Sequence, residues 1–280
     1  MTIKSLPEIK ASRLPDTFAF EADSEAVERW HAGIKAKQSP DNTINILDVI
    51  GEDMFGDGIT SRRVSAALRR IGDQEVYVDI NSPGGDFFEG VAIYNLLRQH
   101  SQKVHVRVLG LAASAASVIA MAGDEIEIGK AGFLMVHNAW VVAMGNRHDM
   151  QEAAKVLEPF DDAMAGLYAK QAGVEKSQAA EWMDNETWFN GEQAVELGLA
   201  SGFLPADTIT DDGPQSNAGP RNATREVDRL LAKAGVTRSQ RRSLMGEMKG
   251  GTQDAAATVT QDADDDIVAD IQQFIEKMRS

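Results

Sequence analysis

Short, β-branched apolar runs recur from residue 44 onward, separated by stretches with helical spacing. These runs are INILDVI (44–50), EVYVDI (75–80), VHVRVL (104–109) and FLMV (133–136). Runs of this length and composition are typical of buried strands. Helical patterns cover 61–70 and 88–99 between them. Strands that alternate with helices predict βαβ units, a largely parallel sheet and an α/β fold class.

A longer amphipathic stretch follows, from about His148 to Gln171. Its apolar stripe consists of Ala154, Leu157, Met164, Leu167 and Tyr168. A helix of this length projects from a compact domain and serves as an oligomer contact, or it packs as an ordinary helix. The sequence leaves both interpretations open.

Composition divides the chain into four parts. Residues 1–42 form an N-terminal arm, and residues 43–204 contain the strand and helix pattern. Residues 205–220 (PADTITDDGPQSNAGP) have little to bury, which indicates a flexible linker. Residues 221–280 regain helical patterns, which predicts a small helical tail that acts as an adaptor or assembly segment.

Charge and cysteine content exclude several function classes. Forty-three acidic against twenty-eight basic residues give a formal net charge of −15, which argues against broad nucleic-acid binding. Without cysteine the chain has no disulfide, thiolate metal site or cysteine nucleophile. The longest uncharged run, Val108 to Gly123, is shorter than a membrane span of roughly 20 residues. The N-terminus lacks the apolar core of a secretory signal, so the cytoplasm is the expected compartment.

The segment INSPGGDFFEG (80–90) predicts a strand that enters a Gly-Gly turn and then a helix. Paired glycines let the backbone adopt unusual dihedrals and expose N–H groups to a ligand. No Gly-Lys-Ser/Thr sequence follows, so a phosphate-binding P-loop is not indicated. An oxyanion hole, a peptide groove and a plain tight turn remain open.

The segment GLAASAAS (110–117) follows the strand VHVRVL directly. Small residues around Ser114 permit a sharp strand-to-helix turn, which exposes the hydroxyl and aims helix N-terminal N–H groups at the same space. Close helix packing is the competing interpretation of such a run. Ser117 lies one helical turn further and is expected to point into the helix body, so Ser114 is the preferred nucleophile.

His137 ends the apolar run FLMV and precedes a loop. A serine hydroxyl needs a neutral imidazole to take its proton, and a histidine at a strand end is well placed for that. His100, His105 and His148 lie in less suitable contexts.

Four blocks then carry a specific resemblance: INSPGG, GLAASAAS, MVHNA and WFNGEQAVELGLASGF (188–203). In order and spacing they resemble the proteolytic subunit of the caseinolytic (Clp) protease, a serine peptidase of the ClpP/crotonase superfamily, over about 44–204. The resemblance implies repeated ββα units with a projecting handle helix, homo-oligomeric rings, protein substrates and no cofactor or metal. It also implies Ser114 as nucleophile, His137 as general base, and the N–H groups of Gly85 and Ala115 as the oxyanion hole.

The resemblance is less definite about the triad acid. The family has Asp at this point, where the present chain has Glu186, with Asp184 two residues earlier. Glu186 is preferred because the alignment from His137 then needs no gap, and Asp184 is the alternative. Gly84 and Asn138 are the implied substrate-binding residues.

The two ends of the chain depart from the housekeeping enzyme. The N-terminal arm lacks similarity to the family's axial loops, so docking to a Clp unfoldase is not expected. A ClpP-like core followed by REVDRLLAKAGVTRSQRRSLM resembles the head maturation proteases of tailed phages and prophages. That resemblance implies ATP-independent cleavage of scaffold or coat-protein segments, in the host cytoplasm or within the assembling prohead.

Four alternatives remain. A housekeeping proteolytic subunit would work with an unfoldase, and a Ser–Lys dyad peptidase would use Lys130 or Lys155 as base. An idle ring-forming assembly protein would share the fold without chemistry. Acyl-CoA enzymes of the crotonase type share the fold and the oxyanion hole but need no Ser–His pair.

Overall fold

A computed structural model of the chain describes residues 23–52, 58–139, 145–205 and 208–211, with three single helical positions at 231, 241 and 244. Most of the predicted linker and almost all of the predicted tail (221–280) lie outside the described residues, and so do the first 22 residues of the predicted arm. The division into four parts therefore stays a prediction.

The first half of the described chain contains the strands and helices that the apolar pattern indicates. In chain order these are α1 (Ser24–Arg29), β1 (Ile34–Ala36), β2 (Thr43–Ile46), α2 (Ser61–Ile71), β3 (Val76–Ser82), α3 (Phe87–Arg98) and β4 (Val104–Ala113). The second half follows as α4 (Ala115–Ala120), β5 (Glu125–Ile128), β6 (Phe133–Met135), α5 (Arg147–Ala172), α6 (Lys176–Asp184), β7 (Trp188–Asn190), α7 (Gly191–Glu196), β8 (Gly202–Phe203) and β9 (Ile209–Asp211).

The main sheet is parallel along most of its width, in the order β2-β3-β4-β5-β8. Its central strands are apolar because they are covered on both faces; Val78, Ile80, Val106 and Val108 are fully buried. Strand β4 pairs with β5 through its first residues and with β6, also in parallel, through its last residues. Strand β7 then pairs antiparallel with β6. The predicted α/β class with a largely parallel sheet is confirmed.

Helix α5 corresponds to the long amphipathic stretch of the sequence. It has 26 residues, which gives a length of about 39 Å at 1.5 Å per residue. Most of its buried residues, such as Met164 and Ala169, lie in the C-terminal third, and its first turns are mostly exposed. A capping box at Asn146 and a left-handed C-cap at Gly173 fix its two ends. The helix thus packs at its C-terminal end and projects at its N-terminal end.

Strand β1 pairs antiparallel with β9 in a separate two-stranded sheet, with Ile34 opposite Asp211. Asn81 of β3 holds the start of this sheet, since its side-chain amide donates to the carbonyls of His31 (2.9 Å) and Ile34 (3.0 Å). The sequence pattern placed Ile209–Asp211 in the linker; the structure places these residues in a strand. Cross-strand pairing with β1 decides their conformation here, since their own composition is mostly polar.

Among the described residues, no helix combines the length and the apolar character that crossing a membrane requires.

Candidate active site

Ser114 lies at the sharp turn between β4 and α4. Its φ of 54° and ψ of −126° belong to a region that residues with side chains rarely adopt. Hydrogen bonds hold the turn: the Ser114 N–H donates to the Met135 carbonyl (3.0 Å), and the Ser117 hydroxyl donates to the Ser114 carbonyl (2.6 Å). The strained strand-to-helix turn presents the Ser114 side chain at the edge of the sheet, as the sequence predicts.

Ser117 faces the other way. It is fully buried, and its hydroxyl lies 2.8 Å from the hydroxyl of Tyr168 on α5. Burial raises the pKa of the Tyr168 hydroxyl, so this contact joins two neutral groups. The expectation that Ser117 points into the helix body is confirmed.

The Gly-Gly turn after β3 packs directly against the Ser114 turn. A Cβ atom on Gly84 would lie 2.6 Å from the Ala113 carbonyl oxygen and 2.7 Å from Ser114 Cβ, and its φ is +92°. A Cβ on Gly85, with a φ of +145°, would lie 2.2 Å from the Ile50 carbonyl oxygen. Only glycine fits at either position, because both the dihedral angles and the space exclude a side chain.

Two backbone N–H groups beside Ser114 are available to a ligand. In the described part of the chain, neither the Gly85 nor the Ala115 N–H donates a hydrogen bond. Ala115 is the first residue of α4, where an N–H has no intrahelical acceptor. A Cβ on Gly84 would lie 3.1 Å from the Ala115 nitrogen, so the Gly-Gly turn and the start of α4 are in contact.

His137 follows β6 and contacts Ser114. The parallel register pairs Ala113 with Met135, so Ser114 and His137 follow the carboxyl ends of neighbouring strands. The His137 Nε2 atom lies 2.7 Å from Ser114 Oγ. Burial is the larger influence on the imidazole and lowers its pKa below the ordinary value. The ring therefore stays neutral at neutral pH and can accept a proton from the hydroxyl.

Glu186 lies in the turn between α6 and β7, with a φ of 46° and its N–H donating to the Met183 carbonyl (3.0 Å). Met135 pairs with Trp188, and the Val136 N–H donates to the Thr187 carbonyl (3.1 Å), so this turn lies beside the residues that lead to His137. The Glu186 carboxylate raises the pKa of His137, in opposition to burial. Within the described residues no hydrogen bond joins the two side chains, so Glu186 acts on the imidazole through its charge.

Asp184, the alternative acid, has a different partner. It accepts a hydrogen bond from the side-chain amide of Asn138 (2.8 Å). The neighbouring Ala139 N–H donates to Asp161 of α5 (2.7 Å). These two carboxylates therefore hold the loop that follows His137.

Asp23, which the sequence analysis did not single out, also acts on His137. Its carboxylate raises the pKa of His137, and this effect is larger than that of Glu186. It lies in the predicted arm, at the N-cap of α1. An Asp ahead of a helical stretch is a typical N-cap, so the start of α1 has a signal in the sequence. No local pattern connects that helix with His137.

The other candidate bases are placed elsewhere. The Lys130 ammonium lies over the Phe203 ring, and Lys155 is exposed on α5. His105 faces Glu75 and Glu125. The described residues contain no group of three or more acidic or histidine side chains that could hold a metal ion.

Comparison with known proteins identifies the family of the chain. The family model described as Clp protease matches residues 59–206, more than half of the chain. The ATP-dependent Clp protease proteolytic subunit of Deinococcus radiodurans is 30% identical over 152 residues, which are 52% of this chain and 70% of that protein. The ATP-dependent Clp protease proteolytic subunit 2 of Treponema denticola is 32% identical over 128 residues, which are 45% of this chain and 64% of that protein.

A solved structure supports the fold. A ClpP1 mutant from Listeria monocytogenes superposes with a TM-score of 0.50 at 21% identity, covering 58% of this chain and 91% of that one. That likeness concerns the fold alone, while the family model and the Deinococcus relative carry the assignment of family. With its ClpP-like α/β fold, the chain belongs to the Clp protease family of serine peptidases.

Proposed function

We propose that the chain is a serine endopeptidase in which Ser114 is the nucleophile and His137 the general base. The observation that carries this proposal is the 2.7 Å contact between Ser114 Oγ and His137 Nε2 at a strained turn. In the mechanism we propose, the Gly85 and Ala115 N–H groups form the oxyanion hole.

The reaction follows from these positions. Ser114 Oγ attacks the carbonyl carbon of a peptide bond while its proton passes to His137 Nε2. The oxygen of the tetrahedral intermediate, now negative, accepts hydrogen bonds from Gly85 and Ala115. His137 returns the proton to the leaving amine, which departs and leaves an ester on Ser114. A water molecule that gives a proton to His137 then hydrolyses the ester, and the proton returns to Ser114.

We assign the triad acid to Glu186. Its charge, which favours the imidazolium that forms during acylation, supports this assignment. Asp184 is engaged with Asn138 and is the less suitable acid.

We assign substrate binding to Gly84 and Asn138. Gly84 packs against the Ser114 turn, and Asn138 follows His137 with its side chain held by Asp184. An extended peptide that passes between the Gly-Gly turn and the loop after His137 would present its carbonyl carbon to Ser114.

We further propose that the protein assembles into homo-oligomeric rings, with α5 as the contact between rings. The exposed first turns of α5, which include the half-exposed Met150, support this role. Both relatives described above are named as proteolytic subunits, and that description fits a multi-subunit enzyme.

The biological role that we propose is cleavage of scaffold or coat-protein segments during maturation of a phage capsid, without an ATPase. The family match covers residues 59–206, so α1, β1, β2 and the C-terminal tail lie outside it. The tail's resemblance to phage head maturation proteases supports the capsid role. A housekeeping role beside a Clp unfoldase is the alternative, because the relatives are described as ATP-dependent.

Substitution Ser114→Ala should reduce peptide cleavage and labelling by a fluorophosphonate probe by about 10³-fold or more, because no other group supplies the nucleophile. Ser177→Ala, on an exposed position of α6, is the matched control and should retain both activities. The measurement is peptide hydrolysis together with mass spectrometry of the labelled protein. Unchanged cleavage in Ser114→Ala would refute the assignment.

Separate substitutions of Glu186 and Asp184 should lower the rate of acylation to different extents. Glu186→Gln should lower the rate of acylation by about tenfold, because the imidazolium loses a neighbouring charge. Asp184→Asn should change it much less, since an amide still accepts a hydrogen bond from Asn138. Stopped-flow labelling of both variants compares them directly. The opposite order of effects would transfer the triad role to Asp184.

Gly84→Ala should disrupt the Ser114 turn, because the added Cβ meets the Ala113 carbonyl and the φ of +92° is unfavourable. We expect a loss of about 1–3 kcal/mol in the free energy of unfolding and about 10²-fold in activity. Gly166→Ala on α5 is the control, because no atom outside its own helix lies within 4 Å of the added Cβ. Urea denaturation and peptide cleavage measure both quantities, and a fully active Gly84→Ala protein would contradict the described packing.

The capsid role predicts substrate-specific cleavage in the absence of ATP. The full chain should cut a coat or scaffold protein when the two are co-expressed, and the Ser114→Ala chain should not. The fragments are identified by mass spectrometry. If coat and scaffold proteins stay intact, and cleavage of a folded substrate instead requires a Clp ATPase and ATP, the housekeeping role replaces the capsid role.

A further inference from the structure

Helix α1 packs on the two strands that carry the proposed catalytic pair. Ala26 is fully buried in an apolar cluster with Leu111 and Ala113 of β4 and Met135 of β6. Ala113 directly precedes Ser114, and Met135 lies two residues before His137, on the same face of β6. Helix α1 therefore packs against the strand residues that lead into Ser114 and His137.

The C-terminal end of α1 is held by polar and aromatic contacts. The Trp30 indole donates to the carbonyl of Asn81 (3.0 Å), and the Asn81 amide holds the following turn through the His31 carbonyl (2.9 Å). The Arg29 guanidinium lies 4.6 Å from the centre of the Trp188 ring on β7. These contacts bind α1 to β3 and β7 as well as to β4 and β6.

The N-terminal end of α1 places a carboxylate. Asp23 caps the helix, and its Oδ1 accepts a hydrogen bond from the N–H of the buried Ala26 (2.9 Å). This bond fixes the carboxylate relative to the apolar cluster. The negative charge of this carboxylate raises the pKa of His137, and burial of the ring opposes it.

The charged groups on the remaining elements near His137 have other partners. On α1, Glu25 forms an ion pair with Arg29, and Glu28 also has an interaction partner. Asp184 accepts from Asn138, and Asp161 accepts from the Ala139 N–H. Asp23 and Glu186 are thus the two carboxylates that bear on the imidazole among the described residues.

We propose that Asp23 is a positioning residue of the peptidase, which stabilises the His137 imidazolium from helix α1 and makes the N-terminal arm a part of the active site. This inference rests on the proposed function of Ser114 and His137. It extends the machinery to a segment that the family match at residues 59–206 does not include.

Removal of the Asp23 charge should lower both the pH midpoint of the reaction and its maximal rate. A negative charge near His137 favours its protonated form, so removal of the Asp23 charge makes the imidazole harder to protonate. Base catalysis would then begin at lower pH, since neutral imidazole persists further into acid. The maximal rate would fall, because the transition state that contains imidazolium loses stabilisation. A residue that only supported the fold would change the maximal rate without this shift in the pH midpoint.

The test measures the rate of fluorophosphonate labelling at Ser114 against pH for the full chain and its variants. Asn and Ser both retain a helix cap, so Asp23→Asn and Asp23→Ser remove the charge and keep the hydrogen bond to Ala26. We expect a midpoint at lower pH and a maximal rate about three- to tenfold lower, a small part of the 10²–10⁴ that a general base contributes. Asp23→Glu should recover most of the rate, and Glu25→Gln should leave both quantities unchanged.

A second measurement does not depend on turnover. In the Ser114→Ala chain, NMR titration of the His137 ring should give a lower pKa with Asp23→Asn than without it. An unchanged midpoint and ring titration in both Asp23→Asn and Asp23→Ser would overturn the inference. If the unsubstituted chain is not labelled at Ser114 at all, the proposed function itself fails, so the two failures are distinguishable.

Discussion

The backbone of Ser114 has a positive φ that a residue with a side chain adopts at a cost of about 1–3 kcal/mol, and its neighbours are arranged so as to keep it there. The Met135 carbonyl accepts its N–H, and the Ser117 hydroxyl bonds its carbonyl. Gly84 packs beneath the turn, where any larger residue would collide with it. This one constraint holds the hydroxyl toward His137 and leaves the Ala115 N–H without a hydrogen-bond acceptor among the described residues.

Helix α5 is connected to both halves of the site. The Tyr168 hydroxyl contacts Ser117, whose own hydroxyl bonds the Ser114 carbonyl. Further along the same helix, Asp161 accepts from the Ala139 N–H in the loop after His137. The helix that we propose as the ring contact therefore also holds the nucleophile turn and the loop beside the base.

Residues of the candidate site could be predicted from the sequence where a local pattern marks them. They were missed where tertiary packing alone brings them near His137. The small residues around Ser114 indicated a sharp turn, and the resemblance carried by four sequence blocks selected Ser114 and His137 as the candidate pair. The alignment from His137 favoured Glu186 over Asp184, but the contact of Asp184 with Asn138 depends on the folded loop and has no signal in the sequence. Asp23 could not be found at all, because its relation to His137 depends on the burial of Ala26 against distant strands.

We propose that the Ser114 turn, His137 and the Gly85 and Ala115 N–H groups form one catalytic assembly. A crystal structure of the protein after reaction with a fluorophosphonate would test this proposal. We expect a covalent bond from phosphorus to Ser114 Oγ, with the phosphoryl oxygen within about 3 Å of the Gly85 and Ala115 nitrogens. An adduct at another side chain, or a phosphoryl oxygen turned away from both amides, would contradict it.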